Sequence, residues 1–174
     1  MKKVVIIALL FFILSQSFAQ KKVSTYLFAN YNKTIYDVTL GNNPSCIGLG
    51  LQAFLNTNSK FKFTIEITDD VYLEDDKVFR TTLNGEAPPD LGTMKNILIG
   101  SSFHPGRNIY ISMVAGPSFI EGNTYFAVKP SVGFYFSDKQ KWTGKISYIN
   151  VFNRDAYSKD DFGSISFAVG IKLF

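Results

Sequence analysis

Between Phe61 and Thr68 apolar and polar residues alternate without an error, with Phe61, Phe63, Ile65 and Ile67 on one row and Lys62, Thr64, Glu66 and Thr68 on the other. A period of two is the signature of a β-strand lying between two unlike environments. Cys46 to Leu55 repeats the pattern, with Ile47, Leu49, Leu51, Ala53 and Leu55 against Gly48, Gly50, Gln52 and Phe54. The tight turn at Asn56 to Ser59 joins the two stretches as a hairpin. Further strands are predicted over Lys22–Tyr31, Met94–Phe103, Asn108–Gly116, Tyr125–Phe136, Lys141–Phe152 and Phe162–Phe174. Pro130 falls inside one of them and removes a ladder donor, so a bulge or local break is expected there.

The predicted connections alternate in length along the chain: long, short, long, short, medium, short, medium. Asn32 to Pro44 and Asp69 to Leu91 are long and polar, Pro117 to Asn123 is of middle length, and the turns near Asn56, His104 and Ser137 are short. In an up-and-down membrane barrel all short turns lie on one side and all longer loops on the other. The phase of the alternation matches that arrangement.

Residues 1–19 have the pattern of an export signal. Lys2 and Lys3 precede an apolar run from Val4 to Leu14, and Ser17-Phe18-Ala19 supplies the small residues of a cleavage site. The rest, residues 20–174, is one domain's length, with a formal charge of about +2 once Lys2 and Lys3 leave the total of +4. So mild a charge does not point to nucleic acid. Hydrophobic residues make up 46% of the chain, yet no later run approaches the ~20 apolar residues of a membrane helix. The single Cys46 can form no internal disulfide.

A soluble barrel turns its apolar rows inward, and an outer-membrane barrel turns them outward. The polar rows here are dominated by small residues, among them Gly48, Gly50, Gly100, Ser102, Ser112, Ser131, Gly133, Ser164, Ser166 and Gly170, which suit the crowded lumen of eight strands. Aromatics gather near the short turns, at Phe54, Phe61, Phe103, Phe134, Phe136, Trp142 and Phe174. Tyr72, Phe126, Tyr148, Phe152 and Phe162 are candidates for a second belt. The predicted fold is therefore an all-β, eight-stranded antiparallel up-and-down transmembrane β-barrel. The competing class is a secreted, lipocalin-like soluble barrel carrying an apolar ligand.

The segment Ala115-Gly116-Pro117-Ser118-Phe119, the strand Pro130-Ser131-Val132-Gly133-Phe134-Tyr135-Phe136 and the terminal Phe174 resemble the small outer-membrane β-barrels of Gram-negative bacteria. The nearest groups are the OmpX-like, OmpA-transmembrane-like and PorT-like barrels of Bacteroidetes type. The resemblance implies an outer-membrane location, contact with outer-membrane lipid and lipopolysaccharide, and assembly by the barrel-assembly machinery through the last strand. Phe174 departs from the pattern, because it falls opposite the apolar row of Ile165, Phe167, Val169, Ile171 and Leu173. Either a bulge near the end or an imperfect assembly signal follows.

No catalytic or metal constellation stands out, and no cofactor is expected. His104 is the only histidine and sits at the short-turn side. Lys62, Glu66, Lys129, Lys145 and Lys172 all fall on lumen rows, so Glu66 is expected to pair with one or more of these lysines in a polar plug. Asp69, Asp70, Glu74, Asp75 and Asp76 begin an acidic stretch holding seven of the fourteen acids, but without the spacing of a calcium loop. Two readings of it stay open: a protruding acidic strand edge that binds a surface partner, with the strand that begins at Phe61 continuing through Val71 and Leu73, or a solvated loop. The functional expectation is a non-enzymatic structural or surface-binding barrel with a plugged lumen, and not a general porin.

Overall fold

The computed structural model describes residues 23–36, 44–73, 92–152 and 161–174. Eight strands run in chain order: β1 Val23–Tyr36, β2 Ser45–Leu55, β3 Phe61–Leu73, β4 Thr93–Phe103, β5 Ile109–Ile120, β6 Asn123–Tyr135, β7 Trp142–Phe152 and β8 Phe162–Lys172. Each pairs antiparallel with the next, and β8 closes on β1, giving an up-and-down barrel without an open edge. A strand of 11 residues at ~3.3 Å per residue and ~40° tilt rises roughly 28 Å, enough to cross an outer-membrane hydrocarbon layer of ~25 Å.

Apolar rows cover the outside. Leu49, Phe61, Met113, Ile146, Phe167 and Val169 are about half exposed or more, and every strand contributes such residues. The opposite rows, with Asn30, Gln52, Glu66, Asn96, Ser112, Lys129, Lys145 and Ser166, are buried inside. This is the reverse of a lipocalin, whose lumen is lined by apolar rows and whose outside is wet. Every strand assigned from the sequence is present, and β2 to β8 have the predicted phase; in β1, whose phase is ambiguous in the sequence, Tyr26 and Phe28 point inward and Leu27 outward.

Strand lengths differ in two places. β1 continues to Tyr36 through residues expected to be loop, because Asn30, Asn32 and Thr34 alternate inward against Tyr31, Lys33 and Ile35 outward. Polar residues on the inward row disguised the strand as a loop. β5 likewise runs on through Pro117 to Ile120, so the expected connection from Pro117 shrinks to the two residues Glu121 and Gly122, both at positive φ (47° and 82°). That is the geometry of a two-residue hairpin turn, in which glycine accepts the left-handed backbone at no steric cost. The remaining described connections, 56–60, 104–108 and 136–141, all lie at the opposite end, called here the lower end.

Both interior prolines interrupt a ladder without shifting it. β6 and β7 pair through Val128–Asn150 and resume at Ser131–Ser147 in the same register, so pairing lapses beside Pro130. β4 and β5 skip Leu98 and Ile97 opposite Gly116 and Pro117 in the same way. A local break, with no bulge, is what Pro130 produces. At the chain's end the β1–β8 register is also unbroken from Gly170 to Lys172, and the Leu173 amide still donates to the Thr25 carbonyl at 2.8 Å. No bulge brings Phe174 into phase; β8 ends at Lys172, and both Leu173 and Phe174 are exposed.

Three of the aromatics assigned to interfacial belts face inward instead: Phe54, Tyr72 and Phe162 are buried in the lumen. They occupy inward rows near strand ends, where position along the strand suggested a belt but strand phase decided otherwise. Gly133 shows how little room the lower lumen leaves, because a Cβ placed on it would overlap the Tyr110 ring. Gly133→Val is therefore expected to destabilise the barrel by about 1–3 kcal/mol through overpacking. Urea titration of the heat-modifiable gel shift measures this, and an unchanged midpoint would show that Tyr110 can move aside.

Candidate functional site

The lumen is stacked in three layers. At the lower end Tyr26, Phe28, Phe54, Tyr110, Tyr135 and Ala168 form an apolar and aromatic cluster. Tyr110 contacts Phe54 edge-on at 5.2 Å and Tyr135 at 5.4 Å between ring centroids. The Tyr26 hydroxyl donates to the Gln140 carbonyl at 3.2 Å and ties this layer to the turn below. At the upper end a second cluster holds Cys46, Tyr72, Met94, Leu98, Val114, Ile120, Ala127, Ile149, Val151 and Phe162. Between them lies a charged layer.

Glu66 is the centre of that layer and is 1% exposed. Lys129 Nζ donates to its Oε1 at 2.6 Å and Lys145 Nζ to its Oε2 at 2.8 Å. The carboxylate belongs to β3 and the lysines to β6 and β7, so the two ion pairs bridge opposite walls. Gln52, directly across the β2–β3 ladder from Glu66, accepts from Lys145 at 3.4 Å and from the Tyr110 hydroxyl at 3.4 Å. The Lys145 ammonium also sits 4.5 Å from the Phe28 ring centroid, a cation–π contact in a site shielded from water. Each charge is thus met by an opposite charge, and Lys145 by a further acceptor as well, the pairing under which a buried charge is tolerable.

The other expected members lie elsewhere. Lys62 is half-buried at the lower mouth, where its Nζ donates to Asn56 Oδ1 at 3.2 Å. Lys172, at the foot of β8, is likewise half-buried. Both share the lumen side with Glu66, but Lys62 lies four residues along β3, roughly 13 Å, and the mouth solvates it instead. Row membership could be read from the sequence; height along the axis could not. Gln52, Tyr110 and Phe28 were not foreseen, although Gln52 follows from the hairpin register once Asn56 to Lys60 is taken as the turn.

The acidic stretch divides at strand phase. Asp69 points outward and lies 3.6 Å from Lys95 in an exposed pair of little energetic weight. Asp70 is buried on the inward row, among Asn30, Asn32 and Thr68, so it does not belong to a surface-binding loop. β3 does continue through Val71 and Leu73, pairing Val71 with Thr93. Glu74, Asp75 and Asp76 lie outside the described residues.

His104 sits just beyond β4, its Nε2 3.0 Å from Ser102 Oγ, stacked on Tyr110 and edge-on to Phe54. No carboxylate is among these neighbours. Burial, then the nearby Lys62 charge, pull its pKa down to about 4.

No family model matches the chain, and no curated protein matches it in sequence. Solved structures do match in shape. Ail, the attachment invasion locus protein of Yersinia pestis, superposes with a TM-score of 0.57 at 11% identity, over 87% of this chain and 99% of that one. Ail in complex with the heparin analogue sucrose octasulfate gives 0.58 at 9% identity over the same shares. Neisserial surface protein A gives 0.51 at 11% identity, over 87% of this chain and 97% of that one. The protein thus has the fold of the small outer-membrane eight-stranded β-barrels.

Two outcomes are expected. Glu66→Leu leaves two buried lysines without a counter-charge and should cost about 3–5 kcal/mol, whereas Glu66→Leu combined with Lys129→Met and Lys145→Met should recover most of that loss. Urea unfolding in detergent compares them, and equal stability of single and triple variants would remove the pairing from the account. For His104 the unfolded chain takes up a proton near pH 6.5 and the folded chain only near 4. Stability should therefore fall as pH drops from about 6.5 towards 4, and His104→Gln should flatten that part of the profile.

Proposed function

We propose that the chain is an exported outer-membrane β-barrel, acting as a structural or surface-binding module with a closed lumen. The observation that carries this is the inside-out polarity: apolar side chains half exposed on all eight strands, around a buried charged layer. In water so large an apolar surface would drive aggregation, whereas acyl chains are its natural solvent. Strand lengths and the fold shared with Ail and neisserial surface protein A support the same location.

In this reading residues 1–19 are a removed export signal, the short lower turns face the periplasm, and the upper end faces outward. The three stacked layers leave the lumen filled, which supports a module that does not pass solutes. The partners that fit are outer-membrane lipid and lipopolysaccharide around the belt, the barrel-assembly machinery at the strand ending in Phe174, and a surface partner at the upper end; nucleic acid is not among them. A non-enzymatic role is supported by the surroundings of His104, which are aromatic rings, one serine and a lysine, at the lower end. The names of the two solved barrels, an attachment protein and a surface protein, favour surface binding over a purely structural part.

Fractionation and planar-bilayer recording test this together. The protein is expected in the outer-membrane fraction, resistant to carbonate and released only by detergent, with no steady conductance after reconstitution. Recovery in the aqueous extract would overturn the location, and a stable ohmic channel would overturn the closed lumen.

A further inference from the structure

The outer wall is not uniformly convex. Across β6, β7, β8 and β1 runs an apolar groove of about 500 Å³. Its floor is Ala29 and Val169, which share one ladder row with Gly144, and Phe134, Phe136, Phe167 and Tyr31 form its walls, the two Phe rings lying over Gly144. The glycine is required by these rings: a Cβ at Gly144 would stand 2.7 Å from Phe134 Cζ and 3.2 Å from Phe136 Cζ. A second groove of about 290 Å³ meets it at Ile146 and carries the track upward past Val132 and Tyr148.

At the lower end beside this groove lie three exposed basic residues on turns whose backbones are tied together. Arg107, Lys139 and Lys141 are exposed on the two lower turns 104–108 and 136–141, with Asp138 the single acid of those turns. Gln140, held at a left-handed φ of 52°, donates from Nε2 to the Arg107 carbonyl at 2.7 Å and so binds one turn to the other. The Lys172 amide donates to the Lys141 carbonyl at 2.8 Å, which anchors Lys141 beneath β7 and β8. Trp142, exposed on the outer row, stands between the cations and the groove.

We propose that this wall is a binding site for one anionic glycerophospholipid of the leaflet next to the short turns. An acyl chain lies over Ala29 and Val169 against the Phe134 ring that covers Gly144, Trp142 packs at the glycerol level, and the phosphate meets Arg107, Lys139 and Lys141. The proposal rests on the membrane-spanning reading above. Charge complementarity selects the occupant: a groove for hydrocarbon alone would suit any lipid, but three cations on the tied turns at the foot of β5, β6 and β7 suit a headgroup with net negative charge.

Native mass spectrometry of the detergent-folded protein, titrated with dioleoyl phosphatidylglycerol or dioleoyl phosphatidylcholine, reads the site. Wild type should retain one phosphatidylglycerol at least tenfold more tightly than phosphatidylcholine. Replacing Arg107, Lys139 and Lys141 together by Gln should bring the two lipids within about twofold. Ala29→Phe, or Val169→Phe should the first not fold, should weaken both lipids by filling the groove, while Ile67→Phe on β3, across the barrel, should change neither. Undiminished preference in the triple Gln variant, unchanged retention in the groove-filled variant, or a lipid-independent dimer abolished by Ala29→Phe would each overturn the proposal while leaving the barrel in its membrane. A chain that folds and stays dispersed without detergent would instead overturn the membrane reading itself.

Discussion

A carboxylate on β3 is held by ammonium groups on β6 and β7, and the whole barrel is arranged around that crossing. Ladder bonds join only neighbouring strands, so they fix circumference and register but leave the cross-section free to flatten. Glu66 supplies what the ladders cannot, a contact between opposite walls. The crossing is stable only if dry and fully paired, because an uncompensated buried charge costs several kcal/mol. The layers above and below meet that requirement. Tyr110, Phe54, Tyr26 and Tyr135 close it from below, and Met94, Leu98, Val114 and Phe162 from above.

The same stacking explains why the polarity of the wall changes along the axis. In the middle the outside is apolar and the inside charged. Towards the upper end the inside gains an apolar cluster, with Cys46, Tyr72, Ile120 and Val151 beside the buried Asn32 and Asp70, while the outside acquires Lys33, Asp69 and Lys95 among exposed apolar residues such as Ile47 and Val71. The upper rim thus mixes charged and apolar residues on its outside, whereas the barrel's middle is apolar outside and charged inside. A surface partner would meet this rim, stiffened by its own core and by the Glu121–Gly122 hairpin.

Outside β1, where Tyr26, Leu27 and Phe28 run together and blur the alternation, strand phase was legible in the sequence because period-two alternation survives even where hydrophobicity is weak. Glu66, Gln52, Lys129 and Lys145 could all be assigned to inward rows from their neighbours alone. What escaped the sequence was height. Lys62 and Lys172 share the lumen with Glu66 but sit at its mouth, and only the stagger of closed strands decides which inward residues meet across it. Belt assignments failed for a related reason: Phe54, Tyr72 and Phe162 lie near strand ends as belt residues do, yet their parity turns them inward. Asn32 to Tyr36 and Pro117 to Ile120 were missed as strand because polar inward residues and a proline look like loop when the lumen environment is not yet known.

The central claim is that lipid lies against one row of each strand and a packed interior against the other. Spin labels placed singly at positions 63 to 68 of β3, in a Cys46→Ser background reconstituted in lipid vesicles, test it residue by residue. Accessibility to oxygen, which partitions into hydrocarbon, should oscillate with a period of two and peak at positions 63, 65 and 67. Peaks at 64, 66 and 68, or no oscillation at all, would contradict the inside-out barrel.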